Sequence, residues 1–164
     1  MELYTSMYRS LLGEIMITSN EETILELLLP GQLSRISAEN LISKEKEPIL
    51  YAKKWLDAYF SGKHPAIDSN ILSPQGTGFQ KQVWQMLTHI PYGQTVTYGQ
   101  IASAICQQNC IQQMSAQAVG QAVGKNPISI IIPCHRVIGS GGKLTGYAGG
   151  ITLKRMLLQH EGWI

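Results

Sequence analysis

One stretch divides this chain. Residues 61–78 (SGKHPAIDSNILSPQGTG) carry two prolines, three glycines and three serines, a mixture that helix and strand interiors reject because proline lacks an amide donor and glycine is conformationally loose. It predicts a linker, and therefore a chain built as two segments. The charges follow the same division. Residues 1–78 hold 7 basic and 10 acidic side chains, a net of −3, whereas residues 79–164 hold 6 basic side chains and a single acid, Glu161, a net of +5. The overall +2 conceals that asymmetry, and a basic half suggests a nucleic-acid partner. With 44% hydrophobic and 15% charged residues in 164, the chain has material for packed cores and is not a disordered polyelectrolyte.

Before the linker, residues 13–18 alternate loosely and residues 24–29 form a short apolar run; both read as strands. Ile49, Ala52, Leu56, Tyr59 and Phe60 recur at helical spacing before Gly62, which predicts a helix over 47–60. Beyond the linker, a pair of capping boxes starts helices, Thr77 with Gln80 and Thr97 with Gln100, each joining a hydroxyl to an orphan amide while the glutamine reaches back. Phe79, Val83 and Leu87 share a face of the first, Ile101 and Ile105 a face of the second. A third helix over 115–123 turns Val119 and Val123 inward and ends at Gly124. The polar run 107–113 (QQNCIQQ) separates the second and third helices, which together resemble a helix-turn-helix, a pattern any helical hairpin also gives. Residues 128–132 (ISIII) read as a buried strand or extended segment leading into Cys134. A glycine-rich loop over 139–150 follows. A last helix, Ile151 to His160, places Leu153, Met156, Leu157 and His160 on one face.

Cys106, Cys110 and Cys134 are odd in number and lack disulfide spacing, and the first residues have no basic segment followed by an apolar core. A reduced, cytoplasmic setting is expected, with no membrane span, since no run of about 18 apolar residues exists. The loop at 139–145 breaks the phosphate-loop pattern at Val137 and Leu144. Cys106 and Cys110 stand at i, i+4 without a second ligand pair at zinc spacing, so no metal site is expected.

A cysteine beside a histidine at the end of an apolar segment is a candidate nucleophile. An unperturbed thiol is only a few per cent thiolate at neutral pH, so a base or a cation nearby is needed. His135 is next in sequence, but neighbouring side chains in a strand or helix do not face one another. A turn or a bridging water is required to join them. Free cysteine is also among the most buried residue types, so on the local pattern Cys134 reads equally well as core or as nucleophile.

Pro133-Cys134-His135-Arg136-Val137, preceded by Asn126-Pro127 and followed by Gly146-Tyr147-Ala148-Gly149-Gly150, resembles the methylated-DNA-[protein]-cysteine S-methyltransferases, also called O6-alkylguanine-DNA alkyltransferases. The likeness extends through Gly76-Thr77-Gly78-Phe79-Gln80, Val83-Trp84, Ile90-Pro91-Tyr92-Gly93, Thr97-Tyr98, Leu157-Leu158 and Glu161-Gly162. In the N-terminal half it is looser, mainly Ala58-Tyr59-Phe60-Ser61-Gly62.

The resemblance implies an α+β chain. Residues 1–75 would form a small domain with an antiparallel, ribonuclease H-like sheet, and residues 76–164 a helical, winged-helix-like domain whose helix-turn-helix docks in the minor groove of double-stranded DNA. It implies direct repair: a flipped O6-methylguanine gives its methyl group irreversibly to Cys134, once per molecule, with O4-methylthymine left open. His135 would be the base through a water, and Glu161 would orient it. Tyr98 would assist the leaving guanine and crowd the phosphate of the flipped nucleotide. Asn126 would order the turn that holds the cysteine, and the backbone around Cys134, Val137 and Ala148 would read the guanine edge. Gln117, Ala118 and Tyr147 would belong to the substrate and DNA surface, and Arg136 to a buried structural pairing. No metal or organic cofactor is implied, and the protein would be a monomer.

The sequence departs from the family at two places. Gln117 stands where the family carries an arginine that fills the space left by the flipped base, and the run 107–113 lengthens the preceding turn. Gln117 predicts weaker DNA binding or flipping with activity retained. Two rivals remain open: a DNA-lesion sensor without chemistry, and a sequence-specific helix-turn-helix regulator, which leaves Pro133 to Val137 unexplained.

Overall fold

A two-residue turn at Leu11 and Leu12 starts the fold, pairing Ser10 with Gly13. The structure is a computed structural model that describes residues 1–164 except Ala148. It divides into two compact units, Met1–Gln75 with Pro127–Ser129, and Gly76–Asn126 with Ile130–Ile164. The fold is α+β.

In the first unit, β1 (Leu3–Ser10), β2 (Gly13–Ser19) and β3 (Ile24–Leu28) form an antiparallel meander, and β4 (Leu41–Ser43) adds in parallel to β1, in the order β3-β2-β1-β4. β2 and β3 lie where the apolar runs predict them. β1 and β4 were invisible to periodicity: β1 (LYTSMYRS) fully buries only Tyr4 of its eight residues, and β4 is three residues at a sheet edge. The helix α1 (Glu47–Phe60) packs on β1, β2 and β3. It buries Ile49, Ala52, Leu56 and Tyr59 as the spacing predicts, along with Pro48 and Trp55, while Phe60 is half-buried.

The proline- and glycine-rich stretch is not a loose linker. Trp55 Nε1 donates to Ala66 O (2.9 Å), Ser73 N donates to Ile24 O (2.9 Å), and Leu72 bridges to Ile24 in parallel. Prolines and glycines exclude regular ladders, but they do not exclude isolated backbone bonds. Pro127–Ser129 joins this unit by the same means. Leu27 N donates to Pro127 O and Ser129 N to Leu27 O, both at 2.9 Å.

The second unit contains α2 (Gly78–Leu87), α3 (Tyr98–Asn109), α4 (Ala116–Gly124) and α5 (Ile151–His160), with a short parallel pair, β5 (Val96–Thr97) and β6 (Val137–Ile138). Both capping boxes form reciprocally. α3 runs three residues into the polar 107–113 stretch and ends at Cys110, a non-glycine residue at φ +53°. Trp84 on α2 is buried, with Nε1 donating to Ala122 O on α4 at 2.8 Å. It packs against Gly76 so closely that a Cβ there would meet Trp84 Cη2 at 2.4 Å. Val83, Leu87, Ile101, Ile105, Val119 and Val123 complete the core between these helices, each full burial being worth about 1.5–3 kcal/mol.

The structure corrects the sequence expectation at two further places. Residues 128–132 are buried throughout but form turns rather than a strand, because Ile130 takes φ +70°, outside extended backbone. The inward face of α5 is Lys154, Leu157 and Leu158, whereas Leu153, Met156 and His160 are half-buried. A lysine at an inward position defeats an apolar-face count. Among the described residues no helix is long and apolar enough to cross a membrane.

Candidate active site

The segment that carries Cys134 is shaped by buried polar bonds. Asn126, buried just past α4, donates through Nδ2 to Ile132 O at 2.8 Å, and Cys134 N donates to the same carbonyl at 2.8 Å. Ile130 sits in the left-handed region, where a β-branched residue is strained by about 1–3 kcal/mol, so the enclosing contacts hold a shape the local sequence disfavours. After Pro133 the chain makes a single 3₁₀ turn, Cys134–Arg136, closed by Arg136 N donating to Pro133 O at 3.0 Å, and then enters β6. Cys134 therefore lies on a turn, not at a strand end. Three residues per turn splay consecutive side chains by about 120°, which sends the Cys134 and His135 side chains different ways.

His135 is fully buried, and its Nε2 stands 2.5 Å from Glu161 Oε2. Burial by itself would raise the Glu161 carboxyl, but the hydrogen bonds from His135 and Arg136 and the charge of the guanidinium outweigh it and hold the group well below the usual carboxylate range. An ionised carboxylate only accepts, so Nε2 carries the proton and donates. Burial lowers the His135 pKa despite the pull of Glu161, with Arg136 and Lys154 adding to the lowering, and the ring is neutral. Its Nδ1 is thus an unprotonated base nitrogen, buried and without a hydrogen-bond partner among the described residues.

Glu161 is itself held from three directions. Gly93 N (3.1 Å) and Arg136 Nε (2.8 Å) donate to Oε1, and Arg136 Nη2 (3.1 Å) donates to Oε2. Arg136 Nη1 donates to Ile90 O at 2.7 Å, and its guanidinium lies 5.7 Å from the Tyr92 ring centroid. The turn at 90–93 is therefore the platform for the carboxylate, and Gly93, at φ +76° with Glu161 O 3.1 Å from any added Cβ, is the residue that lets the chain approach.

Cys134 is 4% exposed. Burial pushes its thiol up, opposed by hydrogen bonds from Asn126 and Tyr147 and by the charge of Lys154. Lys154 is 0% exposed, and its Nζ donates to Val137 O (2.5 Å) and Thr145 O (3.0 Å). Tyr98, the first residue of α3, donates its hydroxyl to that same Thr145 carbonyl at 3.1 Å. Beside it, Tyr98, Ala116, Gln117, Gly120, Gln121, Thr145 and Gly146 line an open cleft of about 460 Å³.

Asn126, Tyr147 and Lys154 thus act on the Cys134 thiol, while His135 turns from it to Glu161, and Lys154 links Val137 to Thr145 and through it to Tyr98. Gln117 is exposed in the cleft, and Ala118 is half-buried on α4 with its amide capped by Ser115 Oγ (3.0 Å). Ala148 lies outside the described residues. Sequence reasoning missed Lys154, Gly93 and Thr145. The signals were faint: a lysine four residues into a short helix, and a glycine inside a turn motif.

A buried thiol acted on by an asparagine, a tyrosine and a lysine, next in sequence to a histidine bonded to a carboxylate, on a unit whose α3 and α4 pack together, marks the class of α+β protein with a cysteine-centred candidate site. The particular family follows from comparison. Residues 78–163 match the model described as 6-O-methylguanine DNA methyltransferase, DNA binding domain, and residues 3–71 the model for its ribonuclease-like domain. The chain belongs to the 6-O-methylguanine DNA methyltransferase family. It is 41% identical over 160 residues to the methylated-DNA–protein-cysteine methyltransferase of Methanosarcina acetivorans, covering 98% of this chain and 99% of that one. The corresponding Haemophilus influenzae protein is 38% identical over 161 residues, covering 97% and 86%. The crystal structure of Mycobacterium tuberculosis OGT in complex with DNA superposes with a TM-score of 0.81 at 40% identity, covering 98% of this chain and 92% of that one.

Proposed function

We propose that this protein repairs DNA by moving the alkyl group of O6-alkylguanine irreversibly onto its own Cys134. The observation that carries the reading is the His135–Glu161 contact: it leaves a neutral histidine with a basic Nδ1 one residue from a buried thiol. The target atom lies inside a base stack, so the nucleotide must first be flipped out, which costs a few kcal/mol and less for a damaged pair. The helix-turn-helix pair docks in the minor groove as a monomer, with Gln117 beside the extruded position and Tyr98 crowding its phosphate.

In the site, His135 Nδ1 takes the thiol proton through a water. The sulfur attacks the alkyl carbon, the S–C bond forms as the C–O6 bond breaks, and the electron pair stays on guanine. Tyr98 hydrogen-bonds the departing ring, which gains one proton. The thiol loses one, so protons balance and no co-reactant is consumed. A thioether is a poor leaving group, so the step is final and each molecule acts once. The backbone around Val137 and Ala148 and the Tyr147 ring read the base. A reducing, cytoplasmic compartment keeps the thiol available.

Incubation with a duplex containing O6-methylguanine, followed by the intact mass of the protein, tests this. A gain of one methyl mass that disappears in Cys134→Ala is expected. Binding without mass gain favours the lesion sensor, and sequence-dependent binding indifferent to the lesion favours the regulator.

A further inference from the structure

Lys154 is a charged group of the site that this reaction leaves without a task. Its side chain is fully buried, yet among the described residues no carboxylate pairs with it. Glu161, the lone acid of residues 79–164, is already taken by Arg136, His135 and Gly93. An ammonium buried against neutral carbonyls alone is unfavourable. It persists where an anion is to form nearby, and the anion available is the Cys134 thiolate, to which Lys154 is electrostatically coupled.

The bonds of Lys154 add a second reason. Val137 O lies at the end of the turn that bears Cys134, and Thr145 O lies in the glycine-rich loop and also accepts from Tyr98. One ammonium therefore ties the turn of the nucleophile to the loop that holds the tyrosine.

We propose that Lys154 is a positioning residue of the alkyl-transfer site, which supplies the counter-charge for the Cys134 thiolate and fixes the Val137 and Thr145 carbonyls on which the turn and Tyr98 are aligned. The proposal rests on the reading of Cys134 as the acceptor. Its charge acts on Cys134 and His135 of the turn, and the ring centroids of Tyr98 on α3 and Tyr147 in the loop lie 5.8 and 6.0 Å from it.

The test uses the full chain with Cys106→Ser and Cys110→Ser, so that Cys134 is the one thiol. Lys154→Met, Lys154→Gln and Lys154→Arg are compared by the pH dependence of Cys134 alkylation by iodoacetamide and by the single-turnover rate of methyl transfer from duplex DNA. In Lys154→Met and Lys154→Gln the alkylation profile should move to higher pH and transfer should fall about a hundredfold. Arg should restore the alkylation profile. A merely structural lysine would leave that profile in place, and an unmoved profile in whichever of Met or Gln retains the wild-type circular-dichroism spectrum overturns the proposal. If the parent protein gains no methyl mass, the acceptor reading fails instead, while the iodoacetamide profile still decides the counter-charge.

Discussion

Glu161 Oε2 lies 2.5 Å from Nε2 of His135, although the two residues are 26 positions apart in the chain. Because Arg136 and Gly93 secure the same carboxylate, the bond determines which imidazole nitrogen holds the proton. The opposite nitrogen is left as a base.

Replacing Glu161 by Gln should undo this. The amide can donate to Nε2 and so favour the tautomer with Nδ1 protonated, which lowers the methyl-transfer rate by about 10²–10⁴-fold. It also leaves the Arg136 guanidinium buried without its counter-ion, a loss of about 3–5 kcal/mol. A time course of intact mass and a urea titration measure the two effects separately.

Gly93→Ala probes the platform. The new methyl group would sit 3.1 Å from Glu161 O, at a φ of +76°, and should cost about 1–3 kcal/mol with a fall in transfer rate. An unchanged urea midpoint and rate would show that the turn does not hold the carboxylate.

Two groups make stability rise with pH, each in its own window. The Glu161 carboxyl is held below its ordinary range, so its contribution is complete above the unfolded value near pH 4.3 and drains away as pH falls below it. Burial lowers Lys154 to about 8. Between about pH 8 and 10.4 the unfolded chain binds the extra proton, so this lysine makes stability rise with pH across that window. The difference in unfolding free energy between the wild type and Lys154→Met should change by up to about 3 kcal/mol from pH 8 to 10.4, and be flat from pH 6 to 7.

Gln117→Arg should tighten binding to duplex DNA and steepen its salt dependence by about one unit of log–log slope. Wild-type affinity should itself fall as salt rises, given the +5 of residues 79–164. Fluorescence anisotropy over a salt series reads both. If Gln117→Arg leaves affinity, slope and transfer rate unchanged, the side chain does not serve the flipped position.

Local signals were legible where a short stretch meets its own needs. The Thr77–Gln80 and Thr97–Gln100 boxes start helices within one turn of chain, and α1 spans the residues its apolar spacing predicts. β1 escaped because its two serines and its threonine face intermediate surroundings, and the 128–132 run escaped because Ile130 adopts a conformation that only its buried surroundings impose. Lys154 was misplaced for a related reason. A periodicity count assigns lysine to water, and here an inward position receives it with two carbonyls.

Residue type and short spacing are enough to establish that residues 79–164 are basic with one acid, that helices begin at the two capping boxes, and that Cys134 and His135 stand together in a motif resembling a family. They do not reveal that His135 turns to Glu161 while Cys134 meets Asn126, Tyr147 and the charge of Lys154; folding in three dimensions settles that. A tight turn directs adjacent side chains apart, and their partners come from residues 8 to 26 positions distant along the chain, brought close by packing that no local pattern encodes.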